Sequence, residues 1–507
     1  MQRFYPNWRP AIRAVYSDPS MRRLACLLVL GLSITACSSA RESDETSATG
    51  ATSSAIINGK IDTSHKAVVA ILTQSSQDQG GGCTGTIVKV DTTRHIGWVI
   101  TAAHCVDFQG LDPANVYVVQ GEDYAKQTSI LYRTIDFKVH DGWNPNSGFN
   151  YDFAVIRIAG VDSTTPVIPL TTSPDGLAVG TQVTSVGYGK TDPAPNSMEA
   201  NSVRYSITKT LGSVTTSQIA FNQSGGGICQ GDSGGPVLAG NPEKVVGIHS
   251  YVQNGCGSNS SGHSSRITFG LAFINQQLSA PLPKEDCNLC EMVANSGTQE
   301  CASITQKCYG DPECQGFFDC MQKQGATRTT CTKNFPKVEG MYAAVAACTC
   351  THACASSCGS TLNCKLTPKC GYKLPSGACT TCTEGSCCTE TFDCTADGDC
   401  YLCLKNGDKD PACASNAIRK KLATCVATSC KTECDGSGLD SGADPPAEEG
   451  GDPAAEGDGT GNGGNGTTTT TTEGCAIANV GSNHTSGGGL ALAVLGMTLL
   501  AARRKRR

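Results

Sequence analysis

The chain has 507 residues and a formal net charge of −6, with 31 cysteines and 58 glycines. A chain of this length exceeds what one hydrophobic core organises, so two or more structural units are expected. The chain has no excess of basic residues that would attract nucleic acid, and its acidic residues are concentrated in one tail. Nucleic-acid binding is therefore not expected. So many cysteines exclude a reducing compartment and predict an exported protein in which most of them form disulfides.

Residues 1–37 have the pattern of an export signal. Residues 21–23, Met-Arg-Arg, precede an apolar run at residues 24–35, which is typical of a secretory signal. The segment Ile-Thr-Ala-Cys ending at Cys37 resembles the lipobox of bacterial lipoproteins, which implies lipidation of Cys37. An ordinary signal peptide cut nearby is the alternative. Residues 38–55, rich in Ser, Thr, Ala and Glu, are predicted to be a tether or propeptide.

Residues 56–280 are predicted to form an all-β domain. The runs at 67–72, 85–90 and 245–248 are short, β-branched and bounded by Gly, Ser or Asp. No long helical period competes with them, so the pattern predicts strands. Many short strands of this kind are typical of a barrel.

Three motifs in this domain carry side chains suited to acyl transfer. They are Thr-Ala-Ala-His-Cys around His104, Tyr-Asp-Phe-Ala-Val around Asp152, and Gly-Asp-Ser-Gly-Gly-Pro around Ser233. In this order they resemble the trypsin/chymotrypsin family of serine endopeptidases, from residue 56 to about residue 278. The resemblance implies a chymotrypsin-like double β-barrel, with the active site in the cleft between two six-stranded barrels.

The resemblance also implies the role of each site residue. His104 would act as general base toward the Ser233 hydroxyl and then as acid toward the leaving amine, with Asp152 fixing the His104 tautomer. The backbone N–H groups of Gly231 and Ser233 would form the oxyanion hole. Neither a cofactor nor a metal ion is predicted.

The segment Ile-Ile-Asn-Gly that begins at Ile56 resembles the start of a mature enzyme of this family. Cleavage after Ala55 would free the Ile56 amine to pair with the Asp232 carboxylate and order the oxyanion loop. A zymogen is therefore predicted. The alternative is a constitutively active enzyme in which Ile56 merely begins a strand.

Two disulfides are implied by the same resemblance, Cys83–Cys105 beside the catalytic histidine and Cys229–Cys256 at the specificity pocket. Zinc is the alternative for any group of cysteines, but two distant pairs on either side of a triad oppose it. Residues 187–189, Gly-Tyr-Gly, resemble the family's glycine-aromatic-glycine segment. They add evidence for the fold and no chemistry.

The specificity pocket is predicted to be narrow. Trypsin relatives carry an Asp six residues before the nucleophile, where this chain has Gly227, so a preference for Lys or Arg is disfavoured. The branched side chains of Ile228 and Val252 favour cleavage after a small aliphatic residue, such as Ala55. Cleavage after an acidic residue is the alternative, because glutamyl endopeptidases of this superfamily also place a histidine where this chain has His249. The complete predicted pocket comprises Gly227, Ile228, His249, Ser250, Tyr251, Val252 and Gly262.

The next region contains 24 cysteines, of which 22 lie in two repeated blocks, residues 287–358 and 379–434, and two, Cys364 and Cys370, lie in the connecting residues 359–378. Each block opens with a C-x-x-C pair and holds eleven cysteines, so at least one bridge should leave each block. The shared spacing indicates internal duplication. It relates Cys301, Cys308 and Cys314 to Cys387, Cys394 and Cys400.

Short helices are expected in these blocks at residues 317–324, 338–347 and 417–428. Aliphatic residues are too sparse for a large core, so disulfides must supply the stability. The region is predicted to be a rigid stalk, or to bind substrate or a cell-surface partner. Zinc binding and redox exchange are the alternatives.

The last segments are predicted to link and anchor the protein. Residues 435–474 are rich in Gly, Thr, Asp, Glu and Pro and are predicted to form a disordered linker. Residues 475–507 contain Cys475, an apolar segment at 490–502 and a basic end, a layout that resembles the C-terminal sorting tails of myxobacterial surface proteins. It implies processing or lipid attachment at Cys475. A plain transmembrane anchor is the alternative.

These features together predict an exported bacterial serine endopeptidase that acts on protein or peptide substrates. It would be secreted, or held at the cell surface or outer membrane through a lipid or C-terminal anchor. The alternative is a surface binding protein in which the protease fold is a scaffold and the cysteine-rich repeats carry recognition. An intact triad with Gly231 and Asp232 opposes that alternative, because a fold kept only for its shape does not require them.

Overall fold

The computed structural model describes residues 56–434, with short gaps at 75–79, 127, 147, 192–200, 258, 322–327, 362–363, 366, 373–376 and 407–410. The predicted signal region, tether, linker and sorting tail, with Cys37 and Cys475, lie outside the described residues. Within the described ranges, no helix is both long and apolar enough to span a membrane.

The first half of the protease region is a closed six-stranded barrel. A two-residue strand, β1 (Lys60–Ile61), precedes it. The barrel strands are β2 (Val68–Gln74), β3 (Gly80–Asp91), β4 (Ile96–Thr101), β5 (Val116–Gln120), β6 (Ile130–Val139) and β7 (Ala154–Ala159). They pair antiparallel in the order β2-β3-β4-β7-β6-β5, and β5 returns to β2. Their β-branched side chains fill the interior, where β4 is buried along its whole length.

The second half is another closed barrel of six strands. These are β8 (Gln182–Gly187), β9 (Tyr205–Val214), β10 (Gln218–Asn222), β11 (Pro236–Ala239), β12 (Lys244–Gln253) and β13 (Ser261–Arg266). They pair in the order β9-β10-β13-β12-β11-β8, β8 closes onto β9, and β1 lies on the outer side of β9. The structure thus confirms the predicted chymotrypsin-like double β-barrel.

A buried arginine fixes the two barrels against each other. Arg204, which is 1% exposed, donates to the Val68 and Gly121 carbonyls of the first barrel and to the Tyr188 hydroxyl of the second. The same guanidinium donates to the Asp62 carbonyl in the segment after β1. Arg204 Nε has no hydrogen-bond partner among the described residues and lies 3.5 Å from Asp62 Oδ1. Because burying a guanidinium without partners is unfavourable, these contacts favour one geometry of the cleft between the barrels.

Helix α1 (Ile267–Leu278) follows the second barrel, and the next residues pack onto the first barrel. We call residues 281–299 the docking segment. Ser296 donates to the Ala159 carbonyl at 2.7 Å and accepts from the Arg133 N–H at 2.7 Å. Leu289 belongs to the hydrophobic core of the first barrel. Contacts of the barrel therefore continue past residue 280, where the predicted domain boundary lies.

The docking segment meets the barrel at the end remote from the predicted catalytic residues. In the β4–β7 pair, Ile96 lies opposite Ala159 and Thr101 lies opposite Ala154. His104 and Asp152 adjoin the Thr101–Ala154 end, whereas the docking segment contacts the Ala159 end. The cysteine-rich region is thus attached without covering the catalytic end of these strands.

Two glycines with the same backbone conformation, one at the docking segment and one in open space, allow the packing of the docking segment to be tested. Gly160 has φ +94°, and a Cβ there would lie 2.3 Å from the Ser296 carbonyl oxygen, whereas Gly180 has φ +93° with nothing within 4 Å of such a Cβ. We expect Gly180→Ala to cost about 1–2 kcal/mol for its positive φ alone. Gly160→Ala should cost a further ~1–3 kcal/mol from steric overlap. Urea unfolding of the disulfide-intact protein measures the difference, and equal losses would contradict tight docking.

The cysteine-rich region is helical. Its helices are α2 (Cys287–Ala294), α3 (Ala302–Gly310), α4 (Pro312–Met321), α5 (Arg328–Asn334), α6 (Lys337–Ala347), α7 (Ala355–Cys358), α8 (Gly377–Ser386), α9 (Cys388–Ala396), α10 (Gly398–Asn406) and α11 (Ala417–Ser429). Asp286 caps α2 and Asn416 caps α11 through their side chains. The helix predicted at 317–324 begins earlier, at Pro312, because a proline is well suited to the first turn.

The two blocks share one disulfide pattern. In each, the opening C-x-x-C pair joins the closing pair, a third bridge runs between them, and two short bridges close local loops. The first block has Cys287–Cys358, Cys290–Cys354, Cys301–Cys348, Cys308–Cys314 and Cys320–Cys331. The second has Cys379–Cys434, Cys382–Cys430, Cys387–Cys425, Cys394–Cys400 and Cys403–Cys413. Identical connectivity in both blocks supports their origin by duplication.

One bridge from each block reaches the connector, Cys350–Cys364 from the first and Cys370–Cys388 from the second. These bridges account for the odd number of cysteines per block. Every cysteine from 287 to 434 is disulfide-bonded, so none of them offers a thiolate to zinc. The blocks also pack together, since Gly340 of α6 lies against the Tyr401 ring of α10.

Candidate active site

The His104–Asp152 pair is produced by the pairing of β4 and β7. Thr101 ends β4 and lies opposite Ala154, which begins β7, so residues just beyond these ends meet. His104 Nδ1 lies 2.9 Å from Asp152 Oδ2, and the His104 N–H donates to Asp152 Oδ1 at 3.1 Å. The carboxylate is fully buried. This geometry holds the imidazole with Nδ1 toward the carboxylate and leaves Nε2 for another partner.

Ser250, on β12 of the second barrel, donates its hydroxyl to Asp152 Oδ2. The sequence pattern placed Ser250 in the wall of the specificity pocket and indicated no contact with Asp152. The hydrogen bond supplies a third donor to a buried carboxylate, which needs such partners. It also ties the carboxylate of the first barrel to a strand of the second.

The turn that carries Ser233 is fixed to both barrels. The Ser233 carbonyl accepts from the Thr84 N–H on β3 at 2.8 Å, and the Gly234 N–H donates to the His249 carbonyl on β12 at 2.7 Å. A Cβ at Gly234 would lie 2.0 Å from Thr101 Oγ1. Only glycine lets the serine turn lie this close to β3 and β4.

Gly231 has φ +98°, a conformation that glycine adopts without strain. Within the described part of the chain, the N–H groups of Gly231 and Ser233 have no protein acceptor. Two uncommitted backbone donors beside a serine are the arrangement that stabilises a developing oxyanion.

The structure contains the Cys83–Cys105 and Cys229–Cys256 disulfides, with S–S distances of 2.02 and 2.07 Å. The first joins β3 to the residue after His104 and so anchors the histidine segment. Its sulfurs lie within 4.8 Å of a His104 ring nitrogen. Both sulfurs are consumed by the bridge, so this group lacks the thiolates that bind a metal.

Asp232 is fully buried beneath the serine turn. Its Oδ1 accepts from the Gly189 N–H at 2.7 Å, and its Oδ2 accepts from the Cys229 N–H at 2.8 Å. Burial raises the pKa of Asp232 to about 7, although both amide hydrogen bonds act to lower it. Sequence analysis gave residues 187–189 no chemical role. A Cβ at Gly187 or Gly189 would lie 2.2–2.4 Å from Asp232 atoms, so these glycines make room for the carboxyl group.

The segment at Ile56 lies in the same part of the second barrel. Ile56 is fully buried with φ 48°, and the Ile57 carbonyl accepts from the Gly227 N–H at 3.0 Å. This hydrogen bond joins the segment to the loop that precedes Asp232. In the uncut chain the Ile56 nitrogen is part of a peptide bond and carries no charge.

Because the pKa of Asp232 is raised, the stability of the uncut chain should depend on pH. The folded protein holds the Asp232 proton more tightly than the unfolded chain, whose ordinary aspartate pKa is near 4. Stability from this group is therefore fully present below pH 4 and is lost as the pH rises toward 7, by at most about 1.4 kcal/mol per pH unit.

We expect Asp232→Asn, made in an inactive Ser233→Ala background, to remove this dependence. The difference in melting temperature between the two proteins should shift in favour of the asparagine variant from pH 4 to pH 7. Because other titrating groups are common to both proteins, they cancel in the difference. A difference that does not change with pH would contradict the raised pKa.

Aromatic side chains that sequence analysis missed line the cleft next to His104. The ring of Phe149 lies 6.3 Å from the His104 ring, edge to face, and stacks on Tyr251 at 4.9 Å. Trp143 lies 6.0 Å from Phe149 and donates its ring N–H to Asp107. No motif marked Trp143 and Phe149, because they belong to an irregular loop between β6 and β7.

The predicted pocket residues are distributed over two strands and one loop. Val252 on β12 lies opposite Gly262 on β13, and His249 lies opposite Ser264. Gly227 and Ile228 precede Cys229 in the loop after β10. Gly227, Ile228, His249 and Gly262 are buried, whereas Tyr251 and Val252 are partly exposed.

Comparisons with known proteins agree with this geometry. Residues 56–272 match the family model described as Trypsin. The chain is 30% identical over 213 residues to "Brachyurin" of Leptuca pugilator, covering 38% of this chain and 87% of that protein. It is 29% identical over 222 residues to "Chymotrypsin-like elastase family member 1" of Bos taurus, covering 39% and 79% respectively. It is 32% identical over 169 residues to "Trypsin alpha-4" of Lucilia cuprina, covering 30% and 63%.

The double barrel, the buried aspartate beside a histidine and these similarities agree with one another. The chain belongs to the trypsin family and is a serine endopeptidase.

Proposed function

We propose that this protein is an exported endopeptidase that hydrolyses peptide bonds with His104, Asp152 and Ser233 as its triad. The observation that carries the proposal is the 2.9 Å contact of His104 Nδ1 with the buried carboxylate of Asp152. With Nδ1 held there, His104 Nε2 takes the proton of Ser233 Oγ during attack on the peptide carbonyl and then gives it to the leaving amine. Asp152 stabilises the imidazolium formed in between.

The N–H groups of Gly231 and Ser233 bind the oxygen of the tetrahedral intermediate. Each donor of such a hole contributes about 3–4 kcal/mol to the transition state. The positive φ of Gly231 and its close approach to Gly189, with 2.8 Å from a would-be Cβ to the Gly189 Cα, support this role. No side chain fits at residue 231, so the donor must come from a glycine.

Activation follows cleavage between Ala55 and Ile56. The new amine of Ile56 then pairs with Asp232, whose carboxyl group is buried and lacks a cationic partner in the described part of the chain. A charged partner favours ionised Asp232 and thus reverses the effect of burial on its pKa. The pair would stabilise the turn that holds Gly231 and Ser233.

The substrate is a protein or peptide with a small aliphatic residue before the cleaved bond. The supporting observation is the burial of Ile228, a branched side chain that is 2% exposed, packs in the core of the second barrel and takes up volume next to Gly262. Ala55 meets this requirement, so self-activation is part of the proposal. His249 is fully buried, and burial lowers its pKa to about 3. A neutral, covered imidazole is a poor partner for a substrate carboxylate.

We further propose the domain arrangement and location. Residues 1–37 are an export signal, with lipidation of Cys37, and residues 38–55 a propeptide. Residues 56–280 form the protease, 287–358 and 379–434 two repeats joined by 359–378, and 435–474 a linker before a sorting tail at 475–507. The dense disulfides support export to an oxidising compartment. The repeats serve as a stalk or as the site of a cell-surface partner.

A fluorophosphonate probe tests the proposal, because it reacts with an activated serine. Residues 38–434 are produced in an oxidising compartment, and the mature N-terminus is sequenced. We expect labelling of the wild-type chain cut at Ile56, and none of the Ser233→Ala variant. Absence of labelling in a folded chain already cut at Ile56 would reject the catalytic proposal.

A further inference from the structure

The floor of the specificity pocket contains a phenylalanine that no sequence motif marks. A Cβ at Gly262 would lie 2.8 Å from Phe221 Cε2 and 3.0 Å from Ile228 Cγ1. Phe221 is 1% exposed and Ile228 2% exposed. Thus these two side chains, Phe221 from β10 and Ile228 from the following loop, occupy the space that the glycine at 262 leaves open.

A glutamine also lies under this part of the pocket. Gln223 is 1% exposed, and its Nε2 donates to the Ile228 carbonyl at 3.0 Å and to Ser260 Oγ at 3.2 Å. The carbonyl can only accept, so the orientation of the amide is fixed with Oε1 on its other side. Within the described part of the chain, that Oε1 is buried and has no hydrogen-bond partner.

The glutamine oxygen lies where a side chain at residue 227 would begin. A Cβ at Gly227 would be 2.0 Å from Gln223 Oε1. Trypsin relatives have an aspartate at this position of the sequence, so a neutral acceptor here stands near the place of their carboxylate. A buried acceptor without a donor is unfavourable, which makes Gln223 Oε1 a latent hydrogen-bonding site.

His249 lies beside the same phenylalanine. The rings of Phe221 and His249 meet edge to face at 6.3 Å. His249 Nδ1 lies 3.1 Å from Ser264 Oγ, and Nε2 is buried without a partner among the described residues. When Ser264 donates to Nδ1, Nε2 carries the hydrogen. Phe221 thus lies against His249, whose Nε2 is a potential donor. Phe221 also lies two residues before Gln223 in the chain, and both side chains are buried while Asn222 between them is exposed. This alternation places Gln223, with its unpaired acceptor, on the same interior side as the phenylalanine.

We propose that Phe221 sets the depth of the specificity pocket by sealing a polar layer formed by Gln223 and His249. The inference rests on the proposed function and adds its specificity-determining residues. With the phenylalanine present, the substrate side chain meets only hydrocarbon and must be small. With the ring removed, the pocket reaches Gln223 Oε1 and accepts a longer side chain that carries an N–H donor. The primary amide of glutamine has that chemistry, whereas a carboxylate opposes it.

The test compares peptides that differ only in the residue before the cleaved bond. Residues 38–434 are used in wild-type, Phe221→Ala and Phe221→Ala/Gln223→Leu forms, each normalised to the active fraction labelled by fluorophosphonate. Glutamine and methionine peptides form the informative pair, because the two side chains have similar length and differ in hydrogen bonding. Alanine, valine, glutamate and lysine peptides complete the set.

For the wild type, we expect kcat/KM for alanine or valine to exceed that for glutamine and methionine by about tenfold or more, since one methylene is worth ~10–200-fold in such pockets. Phe221→Ala should raise kcat/KM for both longer residues relative to alanine, with at least about tenfold more gain for glutamine than for methionine. Adding Gln223→Leu should abolish the extra gain of glutamine and retain that of methionine.

Two results would overturn the inference. One is a wild-type enzyme that cleaves after glutamine or glutamate as well as after alanine, because the polar layer would then not be sealed. The other is an equal gain for glutamine and methionine in Phe221→Ala that Gln223→Leu leaves unchanged. If Phe221→Ala does not fold, Ile228→Ala removes the other covering side chain and carries the same expectations. Failure of the wild type to react with fluorophosphonate would instead reject the proposed function itself.

Discussion

Replacing Ser233 with alanine is expected to lower kcat by about a million-fold, because the residual rate then depends on binding and the oxyanion donors alone. The measurement is hydrolysis of a peptide anilide with alanine before the cleaved bond. Melting should be almost unchanged, since the Ser233 contacts to the barrels are made by its backbone carbonyl. Removing the hydroxyl therefore deletes the nucleophile and leaves the turn in place.

Ser185→Ala is the matched control for this variant. Ser185 is fully buried on β8, and its hydroxyl has no hydrogen-bond partner among the described residues. We expect its kcat to stay within about twofold of the wild type, because it is buried within the second barrel, where it pairs with Val237 and Ile207. If Ser233→Ala retained wild-type activity, the hydrolysis would belong to another site, and the cysteine-rich repeats would become the candidate for the principal function as a binding region.

Replacing Ile56 with glutamate is expected to give a folded but inactive protein. The acidic side chain cannot enter the fully buried position of Ile56, so the new amine would not reach Asp232. A buried carboxylate left without its partner costs about 3–5 kcal/mol. If that cost falls on the oxyanion turn, kcat/KM falls by roughly 100–1000-fold or more. Circular dichroism and anilide hydrolysis measure folding and activity in the same preparation.

The experiment must distinguish a chain that is not cleaved before residue 56 from a cleaved chain whose new amine does not reach Asp232. Replacing residues 51–55 with the enterokinase sequence Asp-Asp-Asp-Asp-Lys allows every variant to be cut before residue 56, and N-terminal sequencing verifies the cut. Lys60→Glu is the control, because it adds negative charge at an exposed residue of the same segment and should remain active. Full activity of cut Ile56→Glu would show that the enzyme does not require the ion pair.

The barrel fold and the catalytic candidates could be predicted because their signals are local. Short β-branched runs predict strands, and the glycines around Ser233 mark a turn that only small residues can form. The motifs around His104 and Asp152 lie far apart in the chain, yet each includes the end or the beginning of a strand. Antiparallel pairing of Thr101 with Ala154 then brings the two side chains together.

Other features depend on contacts between distant segments and could not be predicted. The spacing of the cysteines indicated a duplication but allowed many connectivities, and only the packing of the helices selects one. Likewise, Ser296 satisfies the Ala159 carbonyl across 137 residues of chain. No local pattern near Ser296 distinguishes it from an ordinary surface serine.

The sequence by itself determined the barrel strands, the order of the triad candidates and the duplicated cysteine blocks, because each is encoded by residue types at short spacing. The arrangement as a double barrel was implied by the resemblance of the three motifs to the trypsin/chymotrypsin family. Tertiary structure alone decided the disulfide pairs of the cysteine-rich region, the docking of residues 281–299 and the packing of Phe221 and Gln223 beside the predicted pocket residues. Phe221 lies opposite Gly262 and Gln223 donates to the Ile228 carbonyl, because β10, β13 and the loop before Cys229 converge there. The physical reason is that burial and the satisfaction of polar atoms depend on which distant segments meet, and spacing along the chain does not specify this.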